Sequence, residues 1–197
     1  MSIINLANWV HDQLNITRKI DAIAPLAIRL YLFLPFWMAG TTKLAHFEDT
    51  VSWFGNADWG LGLPAPMLLA FLATWTEILG AVFLLFGFAT RYVVIPLMVT
   101  MIIAIFTVHW PNGWGAIADS AADAGVADRI GAAKEILKEH GNYNWLTEKG
   151  NFVILNNGIE FGVTYFIMLL TLFFTGAGKV VSLDYWIDRY CRKAGGL

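Results

Sequence analysis

The chain has 197 residues, of which 57% are hydrophobic and 14% charged, with a net charge of −2. A globular protein averages about 45–50% apolar and about 25% charged residues, so a water-soluble domain and a charge-driven disordered segment are both excluded. Clustered Lys and Arg are missing, which excludes nucleic acid as partner. The single cysteine, Cys191, excludes an internal disulfide, a dithiol motif and a cysteine-ligated metal centre within one chain. What remains is an integral membrane protein with the lipid bilayer as its first partner.

Residues 3–16 place Ile3, Ala7, Val10 and Leu14 on one helical face and predict a helix lying in the membrane interface. Four apolar stretches then meet the roughly 20 residues that a helix needs to cross the hydrocarbon core. They cover about 24–45, 66–88, 91–110 and 152–175. No ten-residue alternating pattern occurs, so helices rather than strands are predicted, with Pro35 and Pro96 accommodated as kinks. An outer loop over 111–151 holds Val126, Ile130, Ala133 and Leu137 at helical spacing, with Asp119 or Ser120 as the expected cap. This segment is expected to lie as a lid on the outer face. The expected fold is an all-α integral membrane protein, one domain over residues 1–197. It is a four-transmembrane-helix bundle with an outer-face amphipathic helix.

Positive charge sets the orientation. The N-terminus, the turn at 89–91 and residues 176–197 carry Arg18, Lys19, Arg91, Lys179, Arg189, Arg192 and Lys193 against Asp12, Asp21, Asp184 and Asp188. The opposite side has five cations and nine acids. Both termini are therefore expected in the cytoplasm, and the chain in the inner (cytoplasmic) membrane as a multi-pass protein. The first span is not read as a cleavable signal, because no small-residue cleavage site follows it.

The run Gly62-Leu63-Pro64-Ala65-Pro66, followed by Glu77-x2-Gly80-x6-Gly87-x3-Arg91, resembles the DoxX family of small bacterial and archaeal membrane proteins. Arg29, Gly40, Lys43, His109, Gly176-x-Gly178, Ser182, Leu183 and Asp184 agree with it. The resemblance covers roughly residues 24–185; the segment 119–150 departs from it as an insertion. It implies a four-helix membrane bundle loosely associated with redox work, since the family takes its name from subunits of a thiosulfate:quinone oxidoreductase. A resemblance of this kind speaks to fold more than to reaction.

The chemistry rests on a few polar residues inside the spans. Glu77 lies about 16 Å into its helix at 1.5 Å per residue, where a carboxylate must be protonated or paired. Ala73, Glu77, Gly80, Leu84 and Gly87 share its face, and Arg29 on the first span is its expected partner in a buried ion pair. That pair reads either as a structural lock on helix register or as a proton relay and quinone contact. Gly80 and Gly87, like Gly158 and Gly162 on the fourth span, are helix-packing positions. Asn156, Glu160, Thr164 and Thr171 form a polar stripe expected to face inward. Lys43, His46, His109, Asn156 and Glu160 are expected to converge at the outer rim as a ligand-binding or proton-transfer site. Imidazole there donates a hydrogen bond or exchanges a proton near neutral pH.

A quinone is the expected ligand of such a cluster. Haem rests on His46 and His109 alone, both at the rim, and a metal site has no ligand pair at i, i+4, so both rank below it. Three functions stand open in this order. The first is a quinone-interacting, redox-linked subunit working with a membrane or periplasmic partner enzyme. The second is a non-catalytic accessory or anchor subunit, and the third a transporter or channel subunit. The glycine faces serve packing within one bundle or between protomers of an oligomer.

Overall fold

A computed structural model describes residues 2–194, apart from the side chains of Ile16, Arg18 and Lys19. Two of the cations in the orientation argument, Arg18 and Lys19, thus lie outside the described side chains, and Gly195, Gly196 and Leu197 lie outside the described residues. The helices are α1 (Ile3–Ile16), α2 (Ile23–Ala45), α3 (Phe47–Gly55), α4 (Pro66–Phe86), α5 (Thr90–Ala104), α6 (Ala124–His140), α7 (Tyr143–Leu146), α8 (Glu160–Thr175) and α9 (Leu183–Ala194). Three are long and apolar enough to cross a bilayer: Ile23–Ala45, Pro66–Phe86, and α5 with the turns that extend it to Asn112. The chain divides into two compact units, one holding residues up to Thr100 and from Tyr165 onward, the other Met101–Thr164.

In the first unit α2 packs along α4. The face of α2 bearing Arg29, Leu32, Phe36 and Gly40 is buried, as is the face of α4 bearing Ala70, Thr74, Glu77, Ile78, Ala81 and Leu84. Packing of this kind depends on small residues, because lipid is as apolar as the side chains and offers no hydrophobic drive. A Cβ on Gly40 would sit 2.7 Å from Ile78 Cγ1 and 3.1 Å from Glu77 Cβ, and one on Gly80 2.8 Å from Leu97 of α5. The opposite faces expose Leu30, Leu34 and Met38 on α2, Leu68, Phe71 and Leu79 on α4, and Ile95 and Val99 on α5. Apolar side chains facing outward along long apolar helices are what a lipid solvent requires.

Arg29 ties the far end of these helices together. It is fully buried, and its guanidinium donates to the carbonyls of Val180 (3.1 Å), Val181 (3.0 Å) and Leu84 (3.5 Å). Gly87 ends α4 at φ +60°, and any Cβ there would collide with Arg29 Nη1. The carbonyl of Gly87 accepts from the amide of Asp184 and the hydroxyl of Ser182. Asp184 in turn accepts from the amides of Ala89 (2.6 Å) and Thr90 (2.9 Å), capping α5. A carboxylate at a helix N-terminus satisfies orphan N–H groups and the helix dipole together. Val181 holds φ +46°, a costly conformation for a β-branched residue, and its carbonyl is one that Arg29 binds.

The second unit corrects the fourth predicted span. The spacing predicts a helix over 152–175, but α8 begins at Glu160 and is 16 residues long. Residues before it run extended beside the 115–118 segment, with a bridge between Ile117 and Leu155 and bonds from Ala118 N to Ile154 O and from Asn156 N to Ala116 O. Those backbone groups are satisfied across the pair and not within a helix. Asn156 is therefore off the helix, and the expected inward stripe is not formed. Thr164 and Thr171 are exposed and return their hydroxyls to the carbonyls of Glu160 and Ile167, while Leu169 and Leu172 are the buried residues. Gly158, read as helix packing, instead lies against the carbonyls of Gly113, Trp114 and Gly115; Gly162 packs on Ile105.

The third span ends as a π-helical turn over Ile105–His109 and a single 3₁₀ turn over Trp110–Asn112. Pro111 has no N–H to continue the ladder. The helix α6 covers the predicted periodicity but is capped by Asp123, whose carboxylate accepts from Gly125 and Val126. Asp119 makes a local turn to Ala121 and Ala122 instead. The half-buried face of α6 is Val126, Ile130, Lys134 and Leu137, with Ala133 exposed.

Arg29 gives a direct test of this fold. Each hydrogen bond from a charged donor contributes about 1.5–3 kcal/mol, and Lys has one nitrogen where Arg spreads a fork. Arg29→Lys should therefore lose about 2–4 kcal/mol in unfolding of the purified protein in micelles, and Gly87→Ala should fold poorly. An Arg29→Lys variant as stable as wild type would contradict the carbonyl cradle.

Candidate functional site

The expected Arg29–Glu77 pair does not form. Glu77 is paired with Lys43, whose ammonium donates to both carboxylate oxygens, at 2.9 Å to Oε1 and 2.7 Å to Oε2. Helix register explains the change. Gly40 abuts Glu77 and Ile78, so Lys43, one turn further along the same face, is level with the carboxylate. Arg29 lies eleven residues the other way along α2, about 16 Å at 1.5 Å per residue, and no side chain spans that.

The pair is asymmetric in exposure. The Glu77 side chain is 4% exposed and that of Lys43 25%. The carboxylate is thus withdrawn among Gly40, Ile78 and the α2–α4 seam, while the ammonium reaches an accessible edge. An ammonium has three N–H donors; two go to Glu77, and among the described residues no protein acceptor is assigned to the third. The arrangement can hold a proton, pass it between carboxylate and ammonium, and offer one hydrogen bond to a ligand carbonyl.

The other predicted residues fall into separate settings. His46 is exposed at the start of α3, with Nδ1 3.9 Å from Asp49 on the same surface. Lys43 and His46 belong to the first unit; His109, Asn156 and Glu160 belong to the second. Within that second unit the three do gather, and their partners are backbone groups. Glu160 Oε2 accepts from the amide of Ala116 at 3.0 Å. Asn156 donates to the carbonyls of Asn112 (2.5 Å) and Gly115 (3.0 Å). His109 Nδ1 lies 2.9 Å from the carbonyl of Asn157, which also accepts from Asn112. Asn157 adopts φ +56°, a left-handed conformation that Asn tolerates and that turns its carbonyl toward His109.

This cluster therefore ties the 112–116 segment to the start of α8. Its sequence signal, polar residues near span ends, was visible, but their engagement with main chain was not. Two further roles went unread. Lys43 as partner of Glu77 needed the register that Gly40 sets, and Asp184 as cap of α5 joins residues 95 positions apart. Among the described residues, no three His, Cys, Asp or Glu side chains gather as a metal-binding group.

Long outward-apolar helices around one charged pair, with a second cation bound to main chain, define a multi-pass helical membrane protein. Residues 24–110 match the family model described as DoxX, so the DoxX resemblance is shown for the stretch from α2 to the end of the third span. Over 86 residues the chain is 34% identical to "Putative oxidoreductase CatD" of Bacillus subtilis (strain 168), which covers 44% of this chain. The chain spans about 60% of the length of that relative. No solved structure matches the chain.

The pairing predicts a non-additive mutant cycle. Lys43→Ala strands a buried carboxylate, and loss of one partner of a buried pair costs about 3–5 kcal/mol. Glu77→Ala should cost less, because the partly exposed ammonium can turn to water. The double variant should be more stable than the sum of the two losses, read by unfolding in micelles. Additive losses, or coupling of Glu77 to Arg29 instead, would refute the pair.

Proposed function

We infer that this protein is a quinone-interacting membrane subunit of an oxidoreductase system, with Lys43 and Glu77 as the ligand-contacting and proton-exchanging pair. The observation that carries this reading is the bidentate contact itself: a withdrawn carboxylate held by a partly exposed ammonium whose third N–H meets no acceptor among the described residues. An ionisable group inside a membrane span is by default a candidate for a proton or substrate pathway. The name of the Bacillus subtilis relative, "Putative oxidoreductase CatD", supports the class of chemistry.

Reduction of a quinone to the quinol takes up two electrons and two protons. With no cofactor motif in this chain, the electrons come from a partner oxidoreductase, membrane-bound or periplasmic. What this chain supplies is position and protons. Lys43 donates its third N–H to a ring carbonyl, Glu77 keeps the ammonium aimed, and proton transfer between the two lets the pair deliver a proton and be recharged. His109, Asn156 and Glu160 hold the 112–116 segment against the start of α8. The positive charge of the turn at 89–91 and of residues 176–197 supports an inner-membrane placement with both termini in the cytoplasm, α8 counting as a fourth crossing.

A second reading, a non-catalytic anchor for a membrane complex, is favoured by one observation: His109 Nδ1, Asn156 Nδ2 and Glu160 Oε2 each bond to main chain. Gentle purification followed by lipid extraction separates the two. The quinone reading expects near-stoichiometric quinone with the wild type and about a tenfold weaker retention, about 1.4 kcal/mol, in folded Glu77→Gln. Glu160→Gln should retain it. A wild type free of quinone, or Glu77→Gln that binds as tightly, would overturn this reading in favour of the anchor.

A further inference from the structure

The C-terminal helix α9 presents an exposed apolar face. Leu183, Trp186, Ile187 and Tyr190 follow one another at i, i+3, i+4 and i+7, which is one face of a helix. They are exposed at 46%, 58%, 47% and 75%. The opposite side is strongly polar: Asp188 pairs with Arg192 at 2.9 Å, Arg189 lies 5.7 Å from the ring centre of Trp186, and Lys193 follows.

The start of this helix is fixed in place. Its first residues are bound to the end of α4 through Gly87, and to the start of α5 through the Asp184 carboxylate. Just before it, Val180 and Val181 are held by Arg29 of α2, and Gly178 lies against Pro25 at the start of α2. The first turn of α9 is thus pinned where the membrane-crossing helices α2, α4 and α5 begin or end. That is the level at which hydrocarbon gives way to headgroups. Trp and Tyr favour this zone, and Arg and Lys there extend their stems toward phosphate.

We propose that α9 is a docking surface for the anionic bilayer itself. Leu183, Trp186, Ile187 and Tyr190 insert at the headgroup–acyl boundary, and Arg189, Arg192 and Lys193 contact anionic phospholipid phosphates. The continuity of α9 with the ends of the spans carries the placement, and the three cations on its polar side carry the choice of lipid. The helix thereby anchors the cradle of Arg29 from the water side, because the segment Arg29 binds leads directly into it.

The test uses the full chain in vesicles, in a Cys191→Ser background, with a nitroxide attached through Ile187→Cys or Asp188→Cys. Collision with oxygen reports lipid and collision with a water-soluble nickel chelate reports water. In vesicles of phosphatidylcholine with phosphatidylglycerol, the oxygen-to-nickel ratio should be several-fold higher at 187 than at 188. Replacing Arg189, Arg192 and Lys193 together by Gln should lower the ratio at 187 in those vesicles and leave it unchanged in phosphatidylcholine alone. A label at 187 as open to nickel as at 188 would place the face in water and overturn the proposal. A label at 187 shielded from both reagents would show a protein covering, a second copy or a partner, and would equally overturn it. A triple variant without effect in anionic vesicles would remove the lipid choice.

Discussion

A carboxylate among apolar spans persists only where a cation reaches it, and the seam between α2 and α4 is built around that requirement. Glu77 is buried, so Lys43 must come within contact distance, and this in turn fixes how far α2 slides along α4. Gly40 makes the fit possible, because any side chain there would push against Ile78 and Glu77. Desolvating the two charges opposes folding, and the pair offsets this only while both oxygens and the ammonium stay engaged. Register, close helix approach and charge pairing are therefore one constraint.

The buried cation Arg29 is handled differently. Arg29 spends its fork on main-chain carbonyls at the turn before α9, and Asp184 stands close by as the cap of α5. A guanidinium never gives up its proton in a protein and matches several acceptors at once, which suits a permanent clasp. An ammonium is a mobile point charge with a free donor, which suits exchange. The same helix thus carries a locked cation at one end and an accessible one at the other. On this division rests the proposal that proton exchange belongs to Lys43 and Glu77 and not to Arg29.

Much of the helical layout was legible from apolar run length alone. Pro66 at the start of α4 and Gly87 at its end punctuate it in the usual way, and α2 and α6 followed their periodicity. What failed was anything needing non-local knowledge. Residues 152–159 are apolar enough to read as span, yet Asn157 and Gly158 let them run extended against 115–118, and apolarity cannot tell a strand-like segment from a helix start. Glu77 was recognised as needing a cation, but one helix pattern offers Arg29 and Lys43 on the same face, and only register chooses between them. Of the five residues expected to converge, His109, Asn156 and Glu160 lie in one unit, and that their partners are carbonyls and amides is invisible in side-chain identity. The spacing of Leu183, Trp186, Ile187 and Tyr190 gives α9 an apolar face, but its attachment to the end of α4 and the start of α5 joins residues far apart in sequence.

The choice of cation at Glu77 is the point on which the account turns, and it is accessible to solid-state NMR of the protein in lipid. With lysine labelled by 15N and glutamate by 13C, the account predicts a strong dipolar coupling between a lysine Nζ and a glutamate carboxyl carbon. That coupling should vanish in Lys43→Gln and in Glu77→Gln and survive Arg29→Lys. A Glu77 carboxyl carbon coupled to labelled arginine nitrogens, and silent toward lysine, would contradict it.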